Sequence, residues 1–155
     1  GQREVSVGQE VELVSRYLQI QKVRFEKRLT YEIDVDESIR KAKIPKLILQ
    51  PFVENAIVHG FENVTVPCRL TITGREDKGY IRFEVRDTGM GMRQDQIDAI
   101  WEEREEKYAK QRIGRYAVKN IRERIQLKYK DNFSLEIKSS VGHGTTVILI
   151  IPYEE

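Results

Sequence analysis

The sequence has few of the features that cross-link, anchor or strongly charge a protein. Its one cysteine, Cys68, excludes an intrachain disulfide, and no apolar run approaches the roughly 18 residues that a membrane-spanning helix needs. No signal-peptide pattern is visible. Lysine and arginine total 27 against 25 acidic residues, so the net charge of +2 provides no general basic field for nucleic acid. We therefore expect a cytoplasmic domain that contacts neither nucleic acid nor a membrane.

Hydrophobic residues make up 39% of the 155 residues, which is enough for one compact domain with its own core. Apolar spacings of three, four and seven predict amphipathic helices from Val7 to Phe25 and from Tyr116 to Lys130. Between them, either Pro45 or Pro51 can begin a helix that Gly60 ends. Alternation predicts strands in LTYEIDV, RLTIT, YIRFEV and the closing FSLEIKSSVGHGTTVILIIP. This order of elements favours an α+β fold with one mixed sheet faced by helices.

A carboxylate ends the predicted strand YIRFEVRD. The alternation that places the apolar residues of this strand on one face carries Asp87 to the same face. An ionised carboxylate buried there needs hydrogen-bond donors. Gly89 and Gly91 follow directly, and glycine permits close backbone approach or a positive φ. Two interpretations remain open: an ordinary Asp-Gly turn, or a pocket in which Asp87 accepts a hydrogen bond from the exocyclic amine of a flat ring.

The segment PFVENAIVHGFEN places polar residues on an otherwise apolar helix. Asn55 and His59 stand four residues apart and share a face, whereas Glu54 is offset by about 100°. The Asn55 carbonyl oxygen suits an octahedral Mg²⁺ shell, Glu54 suits proton transfer, and His59 suits donation to a phosphate. The alternative is an exposed polar stripe without chemistry. The chain has neither a Walker A loop nor the dinucleotide-binding glycine pattern, so a nucleotide site here would be of another kind.

Three motifs in order carry a family resemblance. LILQPFVENAIVHG resembles the N box of the GHKL superfamily of ATP-binding domains, VRDTGMGM resembles its G1 box, and VGHGTTVILIIP is similar to its closing Gly-Thr segment. More narrowly, the chain from about Val7 to Pro152 resembles the catalytic domain of LytS/YesM-type sensor histidine kinases, which have R-F before the first strand and Q-P before V-E-N-A. The resemblance implies a Bergerat-type two-layer α/β sandwich, in which helices face a mixed sheet of about five strands.

The resemblance also implies roles for the polar residues of the helix. ATP and Mg²⁺ would be the cofactors, with Asn55 as the metal ligand and His59 near the phosphates. Glu54 would be the catalytic residue that assists removal of a proton from the phosphoacceptor histidine. The helix would then carry the metal-binding and general-base groups on an otherwise apolar element.

The rest of the nucleotide site is implied in the same way. Asp87 would accept a hydrogen bond from the adenine amino group, and Thr145 would lie nearby. Gly89 and Gly91 would line the nucleotide and hinge a lid. The charged segment RQDQIDAIWEEREEKYAKQR would be that ATP lid, and the pattern of Ile and Trp in its first half also predicts an amphipathic helix.

One motif departs from the family pattern. The G2 box reads G-x-G-L-x-N-V, but an alignment on Asn120 puts Arg115 and Ala117 in the two glycine places and displaces Gly114 by one residue. Backbone amides at the start of that helix, with Gly114 and Arg115, would still favour phosphate. Side chains in the glycine places would crowd it. The sequence leaves open whether the site is active or degenerate.

The family's phosphoacceptor histidine lies upstream, in a helical segment of its own. Here the two histidines, His59 and His143, stand in the N box and in the closing turn. We therefore expect residues 1–28 to form an entry helix that follows an absent phosphoacceptor segment, and residues 29–155 to form the ATP-binding domain. The implied partners are the phosphoacceptor helix of a homodimeric, membrane-anchored parent kinase and a response regulator.

Our leading hypothesis is the ATP-binding catalytic domain of a two-component sensor histidine kinase. It would transfer the γ-phosphoryl group of ATP to a histidine on the absent segment, so the chain alone would show no kinase activity. The alternative is a degenerate GHKL module that binds nucleotide or dimerises without turnover. A GHKL ATPase that hydrolyses ATP is disfavoured, because the sequence has no transducer domain.

Overall fold

The computed structural model of the chain describes residues 3–61, 66–101 and 113–155, without the side chains of His59 and of residues 113–119. The strands are β1 (Glu4–Ser6), β2 (Leu29–Val35), β3 (Lys43–Pro45), β4 (Cys68–Asp77), β5 (Tyr80–Asp87), β6 (Ser134–Ser139) and β7 (Thr145–Pro152). The α-helices are α1 (Val7–Phe25), α2 (Gln50–Phe61), α3 (Gln94–Trp101) and α4 (Ile113–Tyr129). Two short 3₁₀ turns, Glu26–Arg28 and Glu37–Ile39, flank β2.

Five strands form one mixed sheet in the order β2-β4-β5-β7-β6. Strands β2 and β4 are parallel, whereas the other neighbours are antiparallel. The β4–β5 hairpin turns at Lys78 and Gly79, both with positive φ. In the next ladder Asp87, the last residue of β5, stands opposite Thr145, the first residue of β7. The sheet thus brings Asp87 and the closing Gly-Thr segment together at the end of two central strands, where β5 finishes and β7 begins.

The helices cover one face of this sheet. Alternate residues of β4 and β5 point into a single core, which also receives the apolar stripes of α1, α2 and α4. On the opposite, exposed face, Arg69 pairs with Glu32 and Arg75 pairs with Asp34, both at 2.7 Å, between β4 and β2. None of the helices that the structure describes has the length and apolar content of a membrane-spanning segment. These observations confirm the α+β fold with a mixed five-stranded sheet faced by helices.

The structure also settles details that periodicity left open. Pro51 lies in the first turn of α2, whereas Pro45 ends β3. The last helix begins at Ile113, three residues before the predicted Tyr116. The short strands β1 and β3, which pair with each other, were not predicted. Three residues are too few to show alternation, so such strands become visible only when their partner is known.

Helix α1 is part of the same core as the sheet. It begins with a capping box in which the Ser6 hydroxyl accepts the Gln9 amide and the Gln9 side chain accepts the Ser6 amide. Its buried stripe comprises Val7, Val11, Val14, Leu18 and Phe25. This stripe packs with residues of the sheet and of α2, so α1 shares one core with residues 29–155.

We expect Leu18→Ala to destabilise the whole domain. Leu18 is fully buried, so truncation should lower the free energy of unfolding by about 2–5 kcal/mol. Ile20, two residues along the same helix and 67% exposed, provides the matched control, and Ile20→Ala should stay within about 0.5 kcal/mol of the parent. Urea unfolding of both variants tests this. Equal effects would mean that α1 does not pack on the core as described.

Candidate functional site

A cleft of about 370 Å³, open to solvent, lies between α2, the end of β5 and the start of β7. Its polar lining comes from Asn55 on α2, Asp87 at the end of β5 and Thr145 at the start of β7. Gly60 and Gly91 contribute backbone to the lining. The apolar lining residues are Phe52, Ala56, Val85, Met92 and Val147. The cleft therefore combines an apolar wall with a few polar groups, as small-molecule sites do.

Asp87 is the buried charge of this cleft. Its side chain is 5% exposed, and its Oδ1 accepts a hydrogen bond from the Gly89 amide at 2.9 Å. Burial raises the pKa of Asp87 from 3.8 to about 6, although hydrogen bonds from the backbone amides of Gly89 and Thr145 oppose the shift. Above that pKa the group is an ionised acceptor. A carboxylate in an apolar cleft is suited to a ligand that donates N–H.

Two close backbone contacts explain the glycines around Asp87. A Cβ atom on Gly89 would lie 2.5 Å from the Cα and carbonyl oxygen of Gly60, so α2 and the G1 turn touch at these residues. Gly91 has φ +71°, and a Cβ there would lie 2.0 Å from the Ser140 carbonyl oxygen. Of the two predicted glycines, Gly91 lines the cleft, whereas Gly89 lies beside Gly60 and donates its amide to Asp87.

Thr145 is held in place by Ser139, its neighbour on β6. Their hydroxyl oxygens are 2.8 Å apart, and the Ser139 hydroxyl also lies 2.8 Å from the Gly144 carbonyl oxygen and from the Met92 amide nitrogen that donates to it. Ser139 therefore connects the segment after the G1 box to the closing strand. Ser139 could not be identified from the sequence, because nothing in the local pattern distinguishes it from other polar strand positions.

Asn55 carries a buried acceptor and is one of the residues that line the cleft. Its Oδ1 is buried and has no hydrogen-bond partner among the described residues, and the residue lines the same cleft as Asp87. A buried amide oxygen without a donor is costly unless a ligand or an ion completes it. Neutral carbonyl oxygens are ligands that Mg²⁺ accepts together with phosphate oxygens and water. The donor chemistry of Asn55 therefore fits a magnesium–nucleotide complex.

Glu54 does not join Asn55 in the cleft. It is exposed on α2, and its Oε1 accepts from the Gln50 side-chain amide at 3.2 Å. Burial, and secondarily the charge of Glu54, raises the pKa of Tyr17 on α1, so Glu54 lies on the side of α2 that faces α1. The predicted offset of about 100° thus separates two adjacent residues into a cleft position and a surface position.

Two of the predicted site residues, His59 and Arg115, have side chains outside the described part of the structure, and Gly114 is described only by its backbone. The backbone places Gly114 and Arg115 in the first turn of α4. Residues 102–112, which come directly before this helix, are also not among the residues that the structure describes. The described part of the predicted lid is α3, and it buries Ile97 and Ile100 as the amphipathic pattern indicated.

Gly60 was identified in the sequence only as a helix end. In the structure it is buried, lies within α2 and lets Asp87 approach, since a Cβ there would be 3.2 Å from Asp87 Oδ1. A glycine inside a strongly apolar helical pattern usually has such a packing reason. That signal was present in the sequence, although it names no partner.

We expect Asp87 to make stability depend on pH in a defined direction. The folded-state pKa is raised, so the fold favours the protonated carboxyl, and this contribution is lost as pH rises from about 3.8 to about 6. Over that window the parent should lose about 3 kcal/mol of unfolding free energy relative to Asp87→Asn. Urea unfolding of both proteins at several pH values measures the difference. A difference between the two proteins that does not change with pH would contradict the assignment.

Comparison with known proteins shows the family of the chain. Residues 41–155 match the family model described as histidine kinase-, DNA gyrase B- and HSP90-like ATPase. The chain is 36% identical over 148 residues to sensor histidine kinase YesM of Bacillus subtilis, covering 96% of this chain and 24% of that protein. It is 28% identical over 148 residues to sensor protein LytS of Bacillus anthracis, covering 96% of this chain and 25% of that protein.

Solved structures share the fold. The catalytic domain of histidine kinase ThkA superposes with a TM-score of 0.74 at 15% identity, covering 99% of this chain and 97% of that one. The chain spans about a quarter of the length of the curated relatives it matches. With the family model matched over most of its length, the chain belongs to the histidine kinase-, DNA gyrase B- and HSP90-like ATPase family, as an ATP-binding catalytic domain of the sensor histidine kinase type.

Proposed function

We propose that this domain binds ATP with Mg²⁺ and delivers the γ-phosphoryl group to a histidine on a separate phosphoacceptor helix of its parent kinase. The phosphoryl group would then pass to a response regulator. Relatives named as sensor histidine kinases, which align with nearly the whole chain, support this proposal. By the same analogy, the parent is a membrane-anchored homodimer, and this domain lies in the cytoplasm.

The observation that carries the proposal is the buried, ionisable Asp87 at the end of the cleft. Its carboxylate is oriented by the amides of Gly89 and Thr145 and lies beside an apolar wall. Adenine offers a flat apolar ring with an exocyclic N–H, so both features of the cleft have a partner in the base. An ionised acceptor in a setting of low polarity makes a strong hydrogen bond to that N–H.

Asn55 and Glu54 would bind Mg²⁺ and accept a proton, respectively, on two different sides of α2. Asn55 lines the cleft, where its side-chain oxygen would hold Mg²⁺ against the phosphates. When bound, Mg²⁺ supplies positive charge to the phosphate oxygens. Glu54 is exposed on the adjacent side, where it would accept a proton from a histidine of another helix. Gln50, which donates to Glu54, would orient that carboxylate.

The second candidate function is a nucleotide-binding or dimerisation module without turnover. Arg115 and Ala117, in place of the two G2 glycines, favour it, because their Cβ atoms would crowd a phosphate at the start of α4. Calorimetric titration of the chain with a non-hydrolysable ATP analogue separates a dimerisation module, which binds no nucleotide, from the two forms that bind it, the kinase domain and a nucleotide-binding module without turnover. A folded chain that binds no analogue, with or without Mg²⁺, would favour the dimerisation module.

We expect Asp87→Asn to weaken binding of an ATP analogue roughly 10- to 150-fold, because loss of a charge-assisted hydrogen bond costs about 1.5–3 kcal/mol. Parent affinity should also rise as pH increases through about 6, where Asp87 ionises, whereas the variant should lack this step. Asp131→Asn, at an exposed position, should bind as the parent does. Parent-like affinity in a folded Asp87→Asn would remove the adenine assignment.

We expect Asn55→Ala to abolish most of the gain in analogue affinity that Mg²⁺ provides, because the variant lacks the only protein ligand proposed for the ion. Affinity without Mg²⁺ should change little. Glu54→Gln, at the neighbouring position, is the control, since Glu54 lies outside the cleft lining and should keep the parent's Mg²⁺ dependence. Titrations with Mg²⁺ and with a chelator measure both. A full Mg²⁺ effect in Asn55→Ala would contradict the metal role.

A further inference from the structure

The first turn of α2 is capped by a side chain from another helix. Glu10 on α1 is 1% exposed, and its Oε2 accepts from the amides of Leu49 at 2.9 Å and Gln50 at 3.2 Å. The next residue, Pro51, has no amide hydrogen, and the Phe52 amide donates to the Leu49 carbonyl. The first amides of a helix have no acceptor within the helix. At the start of α2, Glu10 accepts from the amides of Leu49 and Gln50, so these two groups are satisfied. Its negative charge also suits the positive end of the helix dipole.

The turn before α2 is held from the other side by α4. Arg124 donates to the carbonyl oxygens of Lys46 and, at 3.2 Å, of Leu47. The Leu47 amide donates to Glu10 Oε1 at 3.1 Å, so one residue is bound by both charged side chains. Leu47 also has φ +61°, a conformation that a branched residue adopts only when its surroundings impose it. We call Lys46–Leu49, with Glu10 and Arg124, the helix junction.

The helix junction fixes where α2 begins. Asn55 lies on the cleft side of this helix, and a shift or rotation at its first turn would move the Asn55 oxygen relative to Asp87, which belongs to the sheet. Gln50 connects the helix junction to Glu54. Its backbone amide donates to Glu10, and its side-chain amide donates to Glu54. The residues proposed for metal binding and proton transfer are therefore both placed from the same turn.

We propose that Glu10 and Arg124 are positioning residues for the magnesium–nucleotide site, acting through the first turn of α2. They contact no ligand. This inference rests on the proposed function, because it concerns how Asn55 is set to receive the ion. It also gives α1 and α4 a role: both helices hold the metal-binding helix through buried or partly buried charges, so displacement of either helix changes the site.

The test compares how far Mg²⁺ tightens binding of a non-hydrolysable ATP analogue in folded variants. Glu10→Gln keeps the size of the side chain but replaces one carboxylate oxygen with a group that cannot accept from an amide. Arg124→Gln removes the guanidinium from the other side. Glu12→Gln is the matched control, because Glu12 is an exposed residue of the same helix, paired with Arg16 on the surface.

We expect the Mg²⁺ enhancement of affinity to fall roughly tenfold in Glu10→Gln and Arg124→Gln, because a site held loosely by its supporting residues loses function before it loses its fold. Affinity without Mg²⁺ should stay within about twofold, since Asp87 is unaffected. Glu12→Gln should behave as the parent. A purely structural role would lower stability without changing this ratio. Amide exchange at Leu49 and Gln50 should accelerate in Glu10→Gln and not in Glu12→Gln.

Parent-like Mg²⁺ enhancement in folded Glu10→Gln and Arg124→Gln would overturn the inference and leave the proposed function intact. If Glu10→Gln does not fold, Arg124→Gln decides alone. A parent that shows no Mg²⁺ enhancement would instead refute the metal role of Asn55, and the positioning role would fall with it. The two failures are therefore distinguishable in one set of titrations.

Discussion

The carboxylate of Asp87 has to remain in an apolar setting without losing its ability to ionise. Burial raises its pKa to about 6, and the amides of Gly89 and Thr145 donate to it and limit that rise. Both donors depend on close backbone approach. The G1 turn touches α2 at Gly60, and the closing strand starts directly opposite Asp87. The register of β5 and β7 therefore brings the Thr145 amide to Asp87. The glycines of the G1 turn and of α2 leave space for the backbone around the same side chain.

That requirement also explains why the cleft is built from segments far apart in sequence. The end of β5 supplies the carboxylate, the start of β7 supplies a backbone donor, and α2 supplies Asn55, whose side-chain oxygen has no hydrogen-bond partner among the described residues. Ser139 on β6 adds a hydroxyl that connects Thr145 with the segment after the G1 box. The buried carboxylate is satisfied by one amide from its own turn, that of Gly89, and by one from a distant strand, that of Thr145, because a buried charge needs hydrogen-bond donors wherever the fold can supply them.

The charges of Glu10 and Arg124 have a different relation to function. They lie away from the cleft and bind backbone groups of a single turn, which carries a leucine with positive φ. Burial of a charge costs free energy unless the charge is well hydrogen-bonded. The three amides that donate to the Glu10 carboxylate offset this cost in one defined position of the side chain. The helix junction links the N-terminal helix, the metal-binding helix and the helix that follows the predicted lid.

The sequence by itself determined the fold class, the three motifs and the face on which most polar residues stand. Hydrophobic periodicity is a local property, so β2, the β4–β5 hairpin, α1 and the amphipathic α3 could be predicted from it. Periodicity also predicted that Asp87 lies on the apolar face of its strand and that Glu54 and Asn55 lie on different sides of their helix. The tertiary structure decided the rest: the β1–β3 pairing, the contact between Gly60 and Gly89, the hydrogen bond from the Met92 amide to Ser139, and the helix junction. Each of these depends on a partner tens of residues away, and no local pattern encodes which distant group will complete a hydrogen bond or require the absence of a Cβ atom.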